Sequence, residues 1–437
     1  MEGNAMDILS ALRKRTEQAE VYTVESESTM VSFEANEVKS AKVEETRGIA
    51  LRGMVDGRMG FTAAGGRVTQ EELIENLLDS ARYGDRIPIV FPAPAPGPEV
   101  ETYDPGLIDV PIARFVEIGR EIIAALRKVD PDAQVNVDIR RSVDRSALRN
   151  SAGTETAERS SSLIMAVSIE RVRGDDVLIV YDAISGISLT DEYRDMVSHL
   201  TDKLELAKRA ATLQSGRMPV LFSPKGASVL MLPIMQAVSG ESVQRGTSPL
   251  SNRLGEQLFD RRLTVWDDPT LPGRPGSASY DDEGVPCRRK ALIENGVARG
   301  FLFDLKTAAL METESTGNGS RGLFSTPSPS ATNLIIEPGD TPLSDILKGI
   351  DRGLLVDDVL GLGQGNTISG AFSNTVGLAY VIEGGEIVGR VKDVSIAGNI
   401  YQDLREIAAI SRESRWLYGH IQMPYILLSE INVVGKG

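Results

Sequence analysis

The chain has 437 residues, 41% hydrophobic and 25% charged, the proportions of a globular protein too long to be organised around one hydrophobic core. Its formal net charge of -15 repels a phosphate backbone and sets nucleic acid aside as the default partner. A single cysteine, Cys287, excludes an internal disulfide framework and a multi-cysteine zinc site, and no apolar run reaches the roughly 18 to 20 residues of a membrane helix.

Met6, Ile8, Leu9 and Leu12 recur at near-helical spacing and predict a short amphipathic helix from Met6 to about Gln18. The start Met1-Glu2-Gly3-Asn4 lacks the basic-then-apolar order of a signal peptide, so the cytosol is the expected location. Alternation at Val21, Thr23, Val31 and Phe33 leads to Ile49–Val55, Asp56-Gly57 and Met59–Thr62, a hairpin with a primed turn in an antiparallel sheet. Glu71–Tyr83 carries Leu73, Ile74, Leu77, Leu78 and Ala81 on one face, with Thr69 as its cap, and predicts a helix covering that sheet. The stretch from Ile87 to Pro98 is rich in proline, which favours an extended connection between layers over a flexible tether.

Phe115, Ile118, Ile122, Ile123 and Leu126 form the buried stripe of a helix over Pro111–Val129. Four β-rich segments follow: Val135–Ile139, Ser146–Arg149, Ile164–Arg171 and Val177–Ala183; a polar helix is then expected from Asp191 to Leu213. Strands in runs, instead of alternating with helices, predict an α+β first half with mostly antiparallel pairing. Beyond it, Pro219–Phe222 reads as a strand and Ser223-Pro224 as the start of a helix through Val238 that Pro233 should kink. Two turn pairs, Asn295-Gly296 and Gly384-Gly385, and the segments Thr332–Ile336, Ala379–Ile382 and Tyr425–Val434 imply a glycine-rich β lobe. The divisions expected are 1–95, 96–215 and 216–437.

Several sequences in this order resemble the PmbA/TldD family. They are Arg47-Gly48-Ile49-Ala50, Asp56-Gly57-Arg58-Met59-Gly60-Phe61, the run Ser239–Ser248, Asp267-Asp268-Pro269, Asp281-Asp282-Glu283-Gly284-Val285 and Ser315-Thr316-Gly317-Asn318-Gly319. The resemblance implies a two-lobed α+β fold of mostly antiparallel or mixed sheets with covering helices. It also implies a part in a cytoplasmic zinc-dependent peptidase; the family was once described as modulators of DNA gyrase. One type of family member carries His-Glu-x-x-x-His on a helix, where two imidazoles bind zinc and the glutamate takes a proton from the attacking water. The corresponding stretch here, Met231-Leu232-Pro233-Ile234-Met235-Gln236-Ala237-Val238, has neither histidine nor acid.

That departure implies the metal-less paralogue: a homodimer when alone, without a cofactor of its own, pairing with a zinc-bearing TldD-like partner to cleave unfolded or small peptides. The two histidines, His199 and His420, share no helical face. Two other readings remain open, a self-sufficient metallopeptidase using His420 with carboxylates such as Glu241, and a regulator of a gyrase-like target. The candidate peptide-binding residues are Arg245, Gly246, Thr247 and Ser248, and Thr316, Gly317, Asn318 and Gly319, since glycines admit a second backbone and strand edges accept a peptide. The competing reading makes both segments turns needing positive φ. Asp281-Asp282-Glu283 reads as a solvated acidic turn, Cys287 as a buried or half-exposed thiol, and Gly361–Asn366 as a glycine-rich β-turn.

Overall fold

The structure, a computed structural model, describes residues 2–435. Its first half is built on one antiparallel sheet of six strands in the order β3-β2-β1-β4-β5-β6. These are β1 (Gln18–Glu34), β2 (Glu37–Val55), β3 (Arg58–Gly65), β4 (Gln134–Asn150), β5 (Glu155–Arg173) and β6 (Asp176–Gly186). The hairpin turn at Asp56-Gly57 has φ of 51° and 69°, the left-handed pair that a primed turn requires. The separate segments expected around Val135–Ile139 and Ser146–Arg149 are one 17-residue strand. Its charged middle, Arg140–Arg145, hides the strand from an apolar-alternation reading, but ladders from β1 and β5 hold it on both sides.

Five helices accompany this sheet: α1 (Glu2–Leu12), α2 (Gln70–Ala81), the single turn α3 (Pro105–Ile108), α4 (Ile112–Val129) and α5 (Glu192–Leu206). Thr69 caps α2 in a reciprocal box with Glu72, and α4 buries Phe115, Ile118, Ile122, Ile123 and Leu126 as its periodicity demands. α5 stops at Leu206, short of the Leu213 expected. The chain leaves the helix there because Arg209 and Ala211 exchange backbone hydrogen bonds with Arg390 of the second lobe.

The second half forms a mixed sheet of eleven strands. Strand β7 (Gly216–Phe222) runs parallel to Arg352–Val359 and antiparallel to Ile421–Val434. Through Ala371–Glu383 and Ser395–Asn399 these strands close into a ring. The helix α6 (Ser228–Val238) starts five residues later than Ser223, whose hydroxyl accepts from Gly226 N–H and closes a turn first. It runs through Pro233 and is followed by α7 (Gly240–Gln244).

One apolar core fills the second lobe and a small one lies between α1, α2 and the first sheet. Another is shared: Phe115, Ile139 and Leu200 of the first lobe pack in the same cluster as Leu221, Leu355 and Tyr380 of the second. Gly119 lets α4 lie directly on the sheet, for a Cβ there would fall 2.1 Å from Cε2 of Phe33. Gly119→Val therefore forces α4 off the sheet and lowers stability by about 1–3 kcal/mol, read as an earlier urea midpoint.

Candidate functional site

Some of the segments singled out in the sequence, Asp281-Asp282 and Gly317–Gly319 among them, line a groove between the lobes. One part, of about 360 Å³, is lined by Ser277, Asp281, Asp282, Cys287, Gly317–Ser320, Thr332 and His420 from the second lobe and by Glu158 from β5. A neighbouring part of about 240 Å³ shares Glu158, Tyr280, Asp281 and Asp282 and reaches Tyr22, Ser146 and Leu148 of the first sheet.

What fixes these walls is a buried ion network. Arg52 of β2 grips Glu20 of β1 with two nitrogens, at 2.9 and 2.8 Å, and gives its third to Glu283 at 2.7 Å. The three side chains are at most 3% exposed. Arg321 adds a second guanidinium, its Nη1 2.8 Å from Glu20 and its plane 4.1 Å above the Tyr22 ring. Burial opposes the charge on Glu20, yet Arg321 and Arg52 hold its carboxyl below the ordinary range. Phe91, from the proline-rich connection, lies beneath the Arg52 guanidinium.

The acidic turn is thus not solvated as expected. Glu283 is fully buried and accepts from Leu305 N–H at 2.7 Å. Asp281 accepts from the N–H groups of Glu283, Val285 and Gly319, and Asp282 from Arg321 N–H and the Tyr22 hydroxyl. Burial, with the neighbouring Glu283 charge, drives the Asp281 carboxyl upward. Single-sequence periodicity hid this because the two guanidiniums are distant in sequence, Arg52 231 residues from Glu283 and Arg321 39 from Asp282. The one local signal was the glycine at 284, which takes φ +80° against Thr154 and Leu148.

Of the candidate segments, Gly317, Asn318 and Gly319 line the groove. Their polar groups are largely committed. Asn318 is 2% exposed; its amide donates to Asp267 and to Ser330 O, and its oxygen accepts from Lys290 and Thr316. Gly319 N–H donates to Asp281, its carbonyl accepts from Asp282, and a Cβ there would meet Glu283 at 2.4 Å. Arg245, Gly246, Thr247 and Ser248 do not line the groove; they form the turn after α7, where Gly246 has φ +67° and Ser248 is buried with its hydroxyl on Ala237 O. The Cys287 thiol is buried beside Gly317 O, and burial with the Asp281 charge pushes its pKa up.

Glu158 is the wall residue that sequence reasoning missed. Burial first, and Asp282 second, push its carboxyl up to about 7. Near neutral pH it is poised to give or take a proton, or to ionise when a cation enters the groove.

A family model described as the PmbA/TldA metallopeptidase C-terminal domain matches residues 215–435. The chain belongs to the PmbA/TldD family. A second model, PmbA/TldA metallopeptidase domain 1, matches residues 19–82. Among solved structures, TldE from Thermococcus kodakarensis is similar with a TM-score of 0.90 at 27% identity, over 98% of this chain and 99% of that one. A protein named Metalloprotease from Methanothermobacter thermautotrophicus is 26% identical over 93% of this chain and 91% of its own length. The Metalloprotease TldD homolog of Buchnera aphidicola subsp. Acyrthosiphon pisum is 34% identical over 45% of this chain and 41% of that protein. The α+β architecture of antiparallel and mixed sheets is that of the PmbA/TldD fold.

The family's description implies a metal, and the donor set of this chain does not fit one. Among the described residues no three His, Cys, Asp or Glu side chains gather so as to hold an ion. α6 offers no donor of the kind zinc takes. Nδ1 of His199 lies 3.2 Å from Asp182 and the ring meets the Arg415 guanidinium, a cation already in place. Nδ1 of His420 rests 3.0 Å from the Tyr418 carbonyl.

Two outcomes follow from this geometry. Arg52→Met leaves Glu283 in the interior without its guanidinium and takes one of two from Glu20, which keeps Arg321, and costs about 3–5 kcal/mol, seen in chemical denaturation. Glu158 has a folded pKa of about 7 against an ordinary 4.5, so its contribution to stability is complete below pH 4.5 and is lost as pH rises through 7. Glu158→Gln removes that loss, and melting temperatures of variant and parent should diverge across this window; parallel profiles would show that Glu158 titrates normally.

Proposed function

We propose that this chain is the metal-less subunit of a cytoplasmic TldD/TldE-type peptidase acting on unfolded or small peptides. The observation that carries the reading is the missing donor set: α6 presents Met231, Leu232, Ile234 and Met235 where the catalytic paralogue needs imidazoles and a carboxylate. Likeness to TldE over 98% of the chain supports it. Without a metal to lower the pKa of water, hydroxide near neutral pH must come from a zinc-bearing TldD-like partner.

In this assembly the chain contributes a wall. A peptide lies along the groove between the lobes, past Gly317–Gly319 and Glu158, held extended while the partner supplies metal and base. Glu158 supplies a countercharge to a cationic group on the peptide, since an entering cation favours its ionised form. The turn Arg245–Ser248, outside the groove, is a candidate second contact with the peptide.

The test is reconstitution. Mixing the purified chain with a TldD-like paralogue should raise cleavage of short peptides well above either protein alone, with zinc entering in proportion to the paralogue. No gain on mixing, or zinc bound stoichiometrically by this chain alone with turnover, overturns the reading. In the active mixture, Glu158→Lys should raise KM for a basic peptide on the order of tenfold, leaving zinc content unchanged.

A further inference from the structure

Where Asn318 lines the groove, it closes a triangle with a lysine and an aspartate. Asp267 ends the strand Val265–Asp267 and Lys290 opens the strand Lys290–Glu294, and the antiparallel register sets the two directly opposite each other. Lys290 Nζ lies 3.1 Å from Oδ2 of Asp267 and 2.7 Å from Oδ1 of Asn318, while Nδ2 of Asn318 donates to the same Asp267 oxygen at 2.8 Å. The amide has one satisfied orientation: Nδ2 meets two acceptors, Asp267 and Ser330 O, and Oδ1 meets two donors, Lys290 and the Thr316 hydroxyl. Thr332 holds the other Asp267 oxygen with its N–H and hydroxyl, so Oδ2 is left facing both nitrogens. Asp267 and Asn318 are buried, and the Lys290 side chain is 13% exposed.

These positions suit a reaction as well as an ion pair. With Nζ 2.7 Å from Oδ1 and the amide carbon one C=O bond of about 1.23 Å beyond, Nζ is within about 4 Å of that carbon, close to the roughly 3–3.5 Å of a near-attack arrangement. Amines attack amides slowly in water, but groups held in register gain effective molarities on the order of 10⁵ M or more. Asp267 touches both the attacking and the leaving nitrogen, as a proton shuttle must. The Thr316 hydroxyl meets the oxygen on which negative charge would gather. We propose that Lys290 and Asn318 join through an isopeptide bond that the chain forms by itself, with Asp267 moving the protons. Asp267 takes a proton from the Lys290 ammonium, and the freed lone pair forms the new bond to Cγ of Asn318. Asp267 then gives its proton to Nδ2 and takes a second from Nζ. The Cγ–Nδ2 bond breaks, its electron pair leaves on ammonia, and ammonia removes the last proton from Asp267 and departs through the groove as ammonium. The product ties the glycine-rich wall covalently to the second lobe's sheet. It does not rest on the peptidase reading, since no partner, metal or peptide takes part.

The experiment uses the full chain alone. Its intact mass should fall below that of the sequence by one ammonia, and trypsin should fail to cut after Lys290. Digestion should instead release a branched peptide that joins the segment holding Lys290 to the one holding Asn318. Imide formation at Asn295-Gly296 loses the same mass, so the branched peptide is the deciding observation. Lys290→Arg keeps a cation beside Asp267 without an amine nucleophile, and Asp267→Asn keeps the size without the shuttle; both should retain the full mass. The measurement on the parent stands even where a variant fails to fold. A parent that keeps its full sequence mass after prolonged incubation overturns the proposal. So does a lost ammonia that maps elsewhere, or one that persists in Lys290→Arg.

Discussion

Everything at the groove depends on Arg52 standing between two carboxylates in the dry interior. Its guanidinium makes two hydrogen bonds to Glu20 on the first sheet and one to Glu283 on the acidic turn, so it decides where the second lobe's loop meets the first lobe's strands. Charges so deeply enclosed add little net stability compared with a well-packed apolar substitute. Their effect is one of position: a planar fork satisfied by three carboxylate oxygens admits one arrangement. Once the turn is pinned, Asp281 and Asp282 reach the backbone of Gly319 and Arg321, and the loop that includes Asn318 follows.

The elements that were legible from sequence are those whose apolar stripe faces a single core. α2 and α4 show it plainly, and the hairpin at Asp56-Gly57 is announced by turn chemistry alone. The long strands β4 and β5 were only partly legible because one face of each is polar over much of its length, so alternation fades while the ladder continues. The end of α5 was misplaced because a pairing with Arg390, almost two hundred residues away, interrupts it. Around the groove, glycine and acid patterns drew notice to stretches that include Asp281, Asp282 and Gly317–Gly319 of its lining, but gave nothing of their environment. No local rule indicates that an Asp-Asp-Glu turn will meet two buried arginines. Glu158 was invisible because a lone glutamate in a strand has no spacing to betray it.

The proline-rich connection shows how a segment without secondary structure becomes rigid. Its backbone is satisfied by side chains: Gln18 bonds Ile89 O and Phe91 N–H, Asn150 and Thr154 both bond Pro92 O, and the Tyr280 hydroxyl bridges Ala95 O and Gly97 N–H. Proline removes donors that would otherwise need partners, so few side chains suffice to lash the segment across both lobes. It also carries Phe91 to the face of Arg52, which closes the ion network to water.

The apolar cluster that mixes Phe115 and Leu200 with Leu221 and Tyr380 has a consequence for how the molecule comes apart. Neither half can expose its share of that cluster without stripping the other, so melting should be one concerted event and not two staged ones. A fragment ending near residue 215 would leave α5 with an uncovered greasy flank. Nicking by proteases at that junction should therefore release no soluble module, and a nascent chain has to wait for its last strands before the earlier half becomes secure.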